Sequence, residues 1–99
     1  MLFAFMLLDV PGMAARRLEV RPEHKAYLGA VAERIAFAGP LLDDAGAMNG
    51  SLLVIDFADR AAALAWLAAE PFTRAGVYGR SEVRAFRNLW PQKIGFAEV

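Results

Sequence analysis

The chemistry open to this chain is narrow, and it centres on one imidazole. His24 is the only histidine and there is no cysteine, so disulfides, thiolate nucleophiles and thiolate metal sites are excluded. A single histidine cannot build a multi-histidine zinc centre, so no metal and no cofactor are expected. What an imidazole does near neutral pH is take up and return a proton. Pro22 suits the opening turn of a helix, which places His24 in its first turn, where the dipole disfavours the protonated ring. A carboxylate on the second ring nitrogen would fix the tautomer and stabilise the charged form. The plainer alternative is a histidine that heads an apolar stripe and satisfies a local hydrogen bond.

The other polar candidates are fewer still. Ser51 follows Gly50 at the start of an apolar run and could donate a hydrogen bond to a substrate oxygen. No Gly-x-Ser-x-Gly elbow surrounds it, so it is not read as a nucleophile. Arg17 and Arg21 precede His24 and could hold a carboxylate or phenolate through paired donors; solvated loop arginines are the alternative. Asp43, Asp44 and Asn49 lack calcium-loop spacing and read as turn residues. Phe72, Trp66 and Tyr78 could line a hydrophobic pocket or serve as packing; Phe72 is the pocket-wall candidate, and Trp66 reads as packing. No glycine-rich phosphate loop or dinucleotide fingerprint is present.

The elements that must position these residues follow from hydrophobic period. Leu2 to Leu8 is a continuous apolar run closed by Asp9, Pro11 and Gly12, which fits a strand buried on both faces. From Pro22 to Ile35 the spacing of His24, Leu28, Val31 and Ile35 predicts one helical face. Gly39-Pro40 limits residues 36–42 to a short or edge strand. Ser51 to Phe57 reads as a second two-faced strand after a loop over 43–50. Asp59 is a fitting N-cap for a helix through Ala69, which Pro71 ends. Residues 80–88 read as a more polar strand, and Trp90 to Val99 could add another. The order βαββαβ is the ferredoxin-like arrangement: an α+β fold with a four-stranded antiparallel sheet and helices on one face. Strands one and three take the centre and are greasy on both sides, so the open face calls for a cover. A second copy is the simplest one, which predicts a homodimer through that face, a dimeric α/β barrel-type assembly.

Several short segments, taken in order, resemble the YciI-like (YCII-related) domain family. They are Arg17, Arg21-Pro22-x-His24-x-x-Tyr27-Leu28, Ala38-Gly39-Pro40, Gly50-Ser51, Glu70-Pro71-Phe72 and Ala75-Gly76-Val77. The resemblance spans the first strand to about Phe86 and implies the same dimeric ferredoxin-like fold. It also implies an acid–base pair in a cleft, with His24 as the histidine. Glu70 stands where the family's Asp-Pro-Phe motif has aspartate, a departure that moves the carboxylate by one methylene.

Composition bounds the rest. A chain of 99 residues and zero formal net charge is one domain, here residues 1–99, without the basic excess of a nucleic-acid binder. Hydrophobic residues make up 58% even with glycine left out, against about 45–50% in an average soluble protein with glycine included. Leu2 to Leu8 is too short to span a bilayer, and Arg16 and Arg17 follow it, the wrong order for a secretory signal. A cytoplasmic protein with no membrane association is the expectation. Its function would be acid–base chemistry of lyase or isomerase type on a small organic substrate. His24 would move the proton, Glu70 orient it, and Ser51 bind a substrate oxygen, with Arg17, Arg21 and Phe72 holding substrate. The alternative is a non-catalytic dimeric module that binds a small ligand or another protein.

Overall fold

A computed structural model describes residues 1–96. Strands β1 (Leu2–Asp9), β2 (Ile35–Leu42), β3 (Met48–Asp56) and β4 (Tyr78–Phe86) form one antiparallel sheet in the order β2-β3-β1-β4. The two runs expected to be greasy on both sides, β1 and β3, do hold the centre. The sheet is crossed on one face by α1 (Ala14–Gly29), α2 (Arg60–Ala68) and the single turn α3 (Pro71–Arg74). Side chains alternate along a strand, so Phe3, Phe5 and Leu7 point under the helices with Leu53, Ile55 and Val83. These residues, with Phe57, Ala63 and Leu67, are the main core. Val20, Phe72 and Val77 form a smaller cluster beside it.

The first helix departs most from expectation. It begins at Ala14, eight residues before Pro22, and ends at Gly29. Val31 and Ile35 therefore leave the expected stripe; a 3-10 turn (Ala32–Arg34) intervenes and Ile35 opens β2. Pro22 is tolerated inside α1 because the i−4 carbonyl it frees, that of Leu18, lies on the exposed side, where water can satisfy it. His24 thus sits ten residues into α1, not in its first turn. The N-terminal dipole argument does not apply to it.

At the second helix Asp59 caps as expected, its side chain accepting from the Ala62 N–H at 2.8 Å. Pro71 does end the run, but it also starts α3 as the first helical residue. Glu70 between the two helices is extended (φ −68°, ψ 134°) and its carbonyl accepts from Arg74 N–H at 3.0 Å. This break turns the Glu70 side chain inward. β4 starts at Tyr78, two residues before the expected strand, and no strand forms over residues 87–96; the rest of the anticipated tail strand lies outside the described residues.

Two irregularities in the sheet matter for function. The β1–β4 register shifts between Leu8 and Asp9, so Leu8 faces Arg80 but Asp9 faces Tyr78. Skipping Gly79 sets Tyr78 opposite Asp9 on the helix-covered side. A Cβ at Gly79 would lie 2.9 Å from Val10 Cγ2, and one at Gly50 would lie 2.6 Å from the Leu7 carbonyl oxygen. At Gly50 only glycine allows that approach to the backbone, whereas at Gly79 the close contact is with the Val10 side chain.

The uncovered face is mixed. Leu2, Ala4, Met6 and Leu8 share it with Leu52, Val54 and Phe37, while β4 contributes Arg80, Glu82 and Arg84 before Phe86. Met6, Leu8, Phe37 and Phe86 stay 41%, 38%, 40% and 39% exposed. The apolar area is a central strip with a charged flank, not a uniformly greasy sheet.

Candidate active site

Five elements converge at one end of the helix layer. From α1, His24 directs Nδ1 at Glu70 Oε1, 2.5 Å away. Glu70 is wholly buried (0% exposed), and its Oε2 has no hydrogen-bond partner among the described residues. The carboxylate is therefore committed to the imidazole. An ionised carboxylate only accepts, so against ionised Glu70 the ring proton of a neutral imidazole sits on Nδ1 and the lone pair on Nε2. The Phe72 ring stacks on His24 at 4.1 Å between centroids and 16° between planes, which fixes the imidazole plane. Tyr78 meets Phe72 edge-on at 5.7 Å.

A second polar cluster adjoins the first. Arg17 is 3% exposed. Its Nη1 donates to Asp9 Oδ1 at 2.8 Å and Oδ2 at 3.1 Å, and its Nη2 to the Gly50 carbonyl and Ser51 Oγ, both at 2.8 Å. Its guanidinium also lies 4.6 Å from the centre of the Phe72 ring. Tyr78 donates its hydroxyl to Ser51 Oγ at 2.9 Å. Burial pushes the Tyr78 phenol well above the ordinary tyrosine range, and the Glu70 carboxylate adds to this against the opposing Ser51 hydrogen bond and Arg17 charge. Tyr78 therefore stays a neutral donor. Burial likewise raises the Asp9 carboxyl, outweighing the pull of Arg17.

Ser51 is thus the acceptor of two donors, one a cation that cannot reverse its role. With its lone pairs so engaged, its own proton is free to be donated. His24, Ser51, Arg17, Arg21 and Phe72 all border one cleft of about 160 Å³ between α1 and the β2–β3 side of the sheet, together with Gly39, Pro40 and Met48. That is smaller than the roughly 300–1,000 Å³ of drug-sized sites, as a small ligand requires. No group of three His, Asp or Glu side chains suited to a metal ion occurs among the described residues.

Every residue picked from the sequence lies at this cleft or directly behind it, two of them in altered settings. Glu70 makes the expected contact despite its extra methylene. Arg17, read as a substrate clamp, has both terminal nitrogens taken up inside the fold. Phe72 borders the cleft but is fully buried and serves as a stacking platform. Asp9 was visible only as the end of a strand; its odd-numbered position, in phase with Phe3, Phe5 and Leu7, is the signal that turns it inward. Lys25 borders the cleft too, and its signal is the one-turn spacing from Arg21.

The profile of the YCII-related domain matches residues 1–87. The chain belongs to that family. Protein YciI of Escherichia coli is 34% identical over 98 residues, covering 91% of this chain and all of that protein. An uncharacterized Haemophilus influenzae protein is 31% identical over the same share of each. Among solved structures, 5-chloro-2-hydroxyhydroquinone dehydrochlorinase of Burkholderia phenoliruptrix AC1100, in complex with 2,5-dihydroxybenzoquinone, superposes with a TM-score of 0.82. It is 29% identical and covers 88% of this chain and 94% of its own. This YCII-related chain therefore shares its fold with a small-molecule enzyme.

Proposed function

We propose that the cleft is the active site of a small enzyme that moves a proton on an oxygenated organic substrate, in a lyase or isomerase reaction. The observation that carries this reading is the buried Glu70–His24 pair at the edge of a cleft that also holds Ser51. Nε2 of His24 takes the proton as the substrate's electron pair moves toward an adjacent oxygen. Glu70 holds the tautomer and offsets the positive charge that then forms on the ring. The Ser51 O–H, polarised by Arg17 and Tyr78, donates to the oxygen on which negative charge grows. Arg17 positions Ser51 and does not touch substrate, and Arg21 binds substrate at the mouth. The dehydrochlorinase relative supports the elimination chemistry: removing HCl from a chlorinated ring requires a base for the proton while chloride leaves with the bonding pair.

The open sheet face supports a two-copy assembly. Covering what remains of Met6, Leu8, Phe37 and Phe86 contributes about 0.6–1.2 kcal/mol each, some 40% of the full burial value.

The test is turnover of 5-chloro-2-hydroxyhydroquinone and related hydroxylated rings, followed by chloride release and absorbance, for wild type, His24→Ala and Glu70→Ala. Folding and sedimentation are checked for each. A fall of about 10²–10⁴-fold in His24→Ala with the fold intact is the expected result. Equal behaviour of all three proteins, with ligand still bound, would make this a binding module instead.

A further inference from the structure

The fixed charges bordering the cleft are of one sign, Arg17, Arg21 and Lys25, with no carboxylate among the lining. One of these, Arg17, is answered within the fold by Asp9. Arg21 and Lys25 have no ion-pair partner among the described residues, whereas Arg16 on the same helix pairs with Glu19. They stand one turn apart on α1, a spacing at which like charges destabilise a helix. Leu18 and Pro22 form a shallow depression with the same two cations outside the cleft. The pair thus lies at the cleft's mouth, unneutralised.

We propose that Arg21 and Lys25 are an anion-binding mouth, and that the substrate is a small organic acid whose negative group docks between them. This rests on reading the cleft as the substrate site, and it supplies the substrate class that reading leaves open. The deep end cannot take the anion, because the buried Glu70 carboxylate lies behind His24. The helical rise sets Arg21 about 4.5 Å along the axis from His24, a separation a single six-membered ring can bridge. An acid held at the mouth therefore presents its far side to His24 and Ser51.

The test is backbone-amide NMR titration with benzoate, its neutral counterpart benzamide, and inorganic phosphate. Wild type, Arg21→Gln, Lys25→Gln and the double variant are compared, each first checked for the wild-type fold. Benzoate should shift Arg21, Lys25 and Ser51 amides and bind at least tenfold more tightly than benzamide. Each single variant should weaken benzoate about 3–5-fold, and the double about 10–20-fold, the range of partly screened ion pairs. Benzamide should be indifferent to all of them. Three results would overturn the proposal: equal binding of benzoate and benzamide, wild-type benzoate affinity in the double variant, or phosphate held at the mouth while benzoate leaves Ser51 unmoved. No arm requires turnover, so failure of the mouth and failure of the His24 chemistry are told apart.

Discussion

Arg17→Met removes a guanidinium that bonds both oxygens of Asp9 at 2.8 and 3.1 Å, with side-chain exposures of 4% and 5% for the pair. The methionine fills much of the same volume, so the main loss is electrical. An ion pair broken from one side inside a protein costs about 3–5 kcal/mol, because the remaining charge is left without compensation. With a urea m-value near 1.5 kcal/mol/M, that lowers the unfolding midpoint by roughly 2–3 M. The loss depends on pH with a definite sign. Burial already raises the Asp9 carboxyl, and without Arg17 it rises further. A group raised in the folded state stabilises fully below its unfolded value and loses that contribution as pH climbs through the folded value. Arg17→Met should therefore be less destabilised at pH 4–5 than at pH 8, by up to about 1.4 kcal/mol per pH unit across the window. Adding Asp9→Asn removes the stranded charge, so the double variant should recover at least about 1 kcal/mol at pH 8 and lose the pH dependence. Urea unfolding at the two pH values reads all of this. If the double variant is no more stable than Arg17→Met, or the single change costs under about 1 kcal/mol, then Arg17 is not the internal brace described above.

Two further outcomes follow from the same geometry. Tyr27 and Tyr78 are the only tyrosines, and burial raises both phenols, with Glu70 adding to each. In an ultraviolet titration of the folded protein both should ionise at higher pH than in the urea-unfolded chain, which is half ionised near pH 10; stability should then fall as pH rises beyond that point. A normal tyrosine titration in the folded state would contradict the buried Tyr78–Ser51 contact. On the open face, wild type should sediment as two copies at micromolar concentration and Met6→Asp as one, with affinity weakened at least about 100-fold by two desolvated carboxylates; a single-subunit wild type would leave the proposed pairing without support.

Much of the site was legible because its residues sit at punctuation points. His24 is unique, Ser51 follows a glycine, and Glu70 precedes a proline. The roles were less legible. Reading Pro22 as a helix start put His24 at a positive helix end, whereas the alanine- and arginine-rich stretch before it propagates helix and the proline's cost falls on the solvent side. Arg17 looked like a ligand clamp because nothing local shows that Asp9, Gly50 and Ser51, drawn from two strands, converge on it.

From the chain alone came the order of elements, the two central strands and the identity of the one imidazole, since period and turn chemistry are local properties carried by neighbouring residues. Tertiary structure decided which carboxylate serves which cation. The skipped residue at Gly79 brings Tyr78 across from Asp9, the break between α2 and α3 turns Glu70 inward, and the α1–sheet spacing sets His24 and Ser51 on one cleft. Such pairings are made across 46 positions of sequence, as between His24 and Glu70. Charge compensation in a buried site depends on distances of a few ångströms, which folding sets and sequence spacing does not.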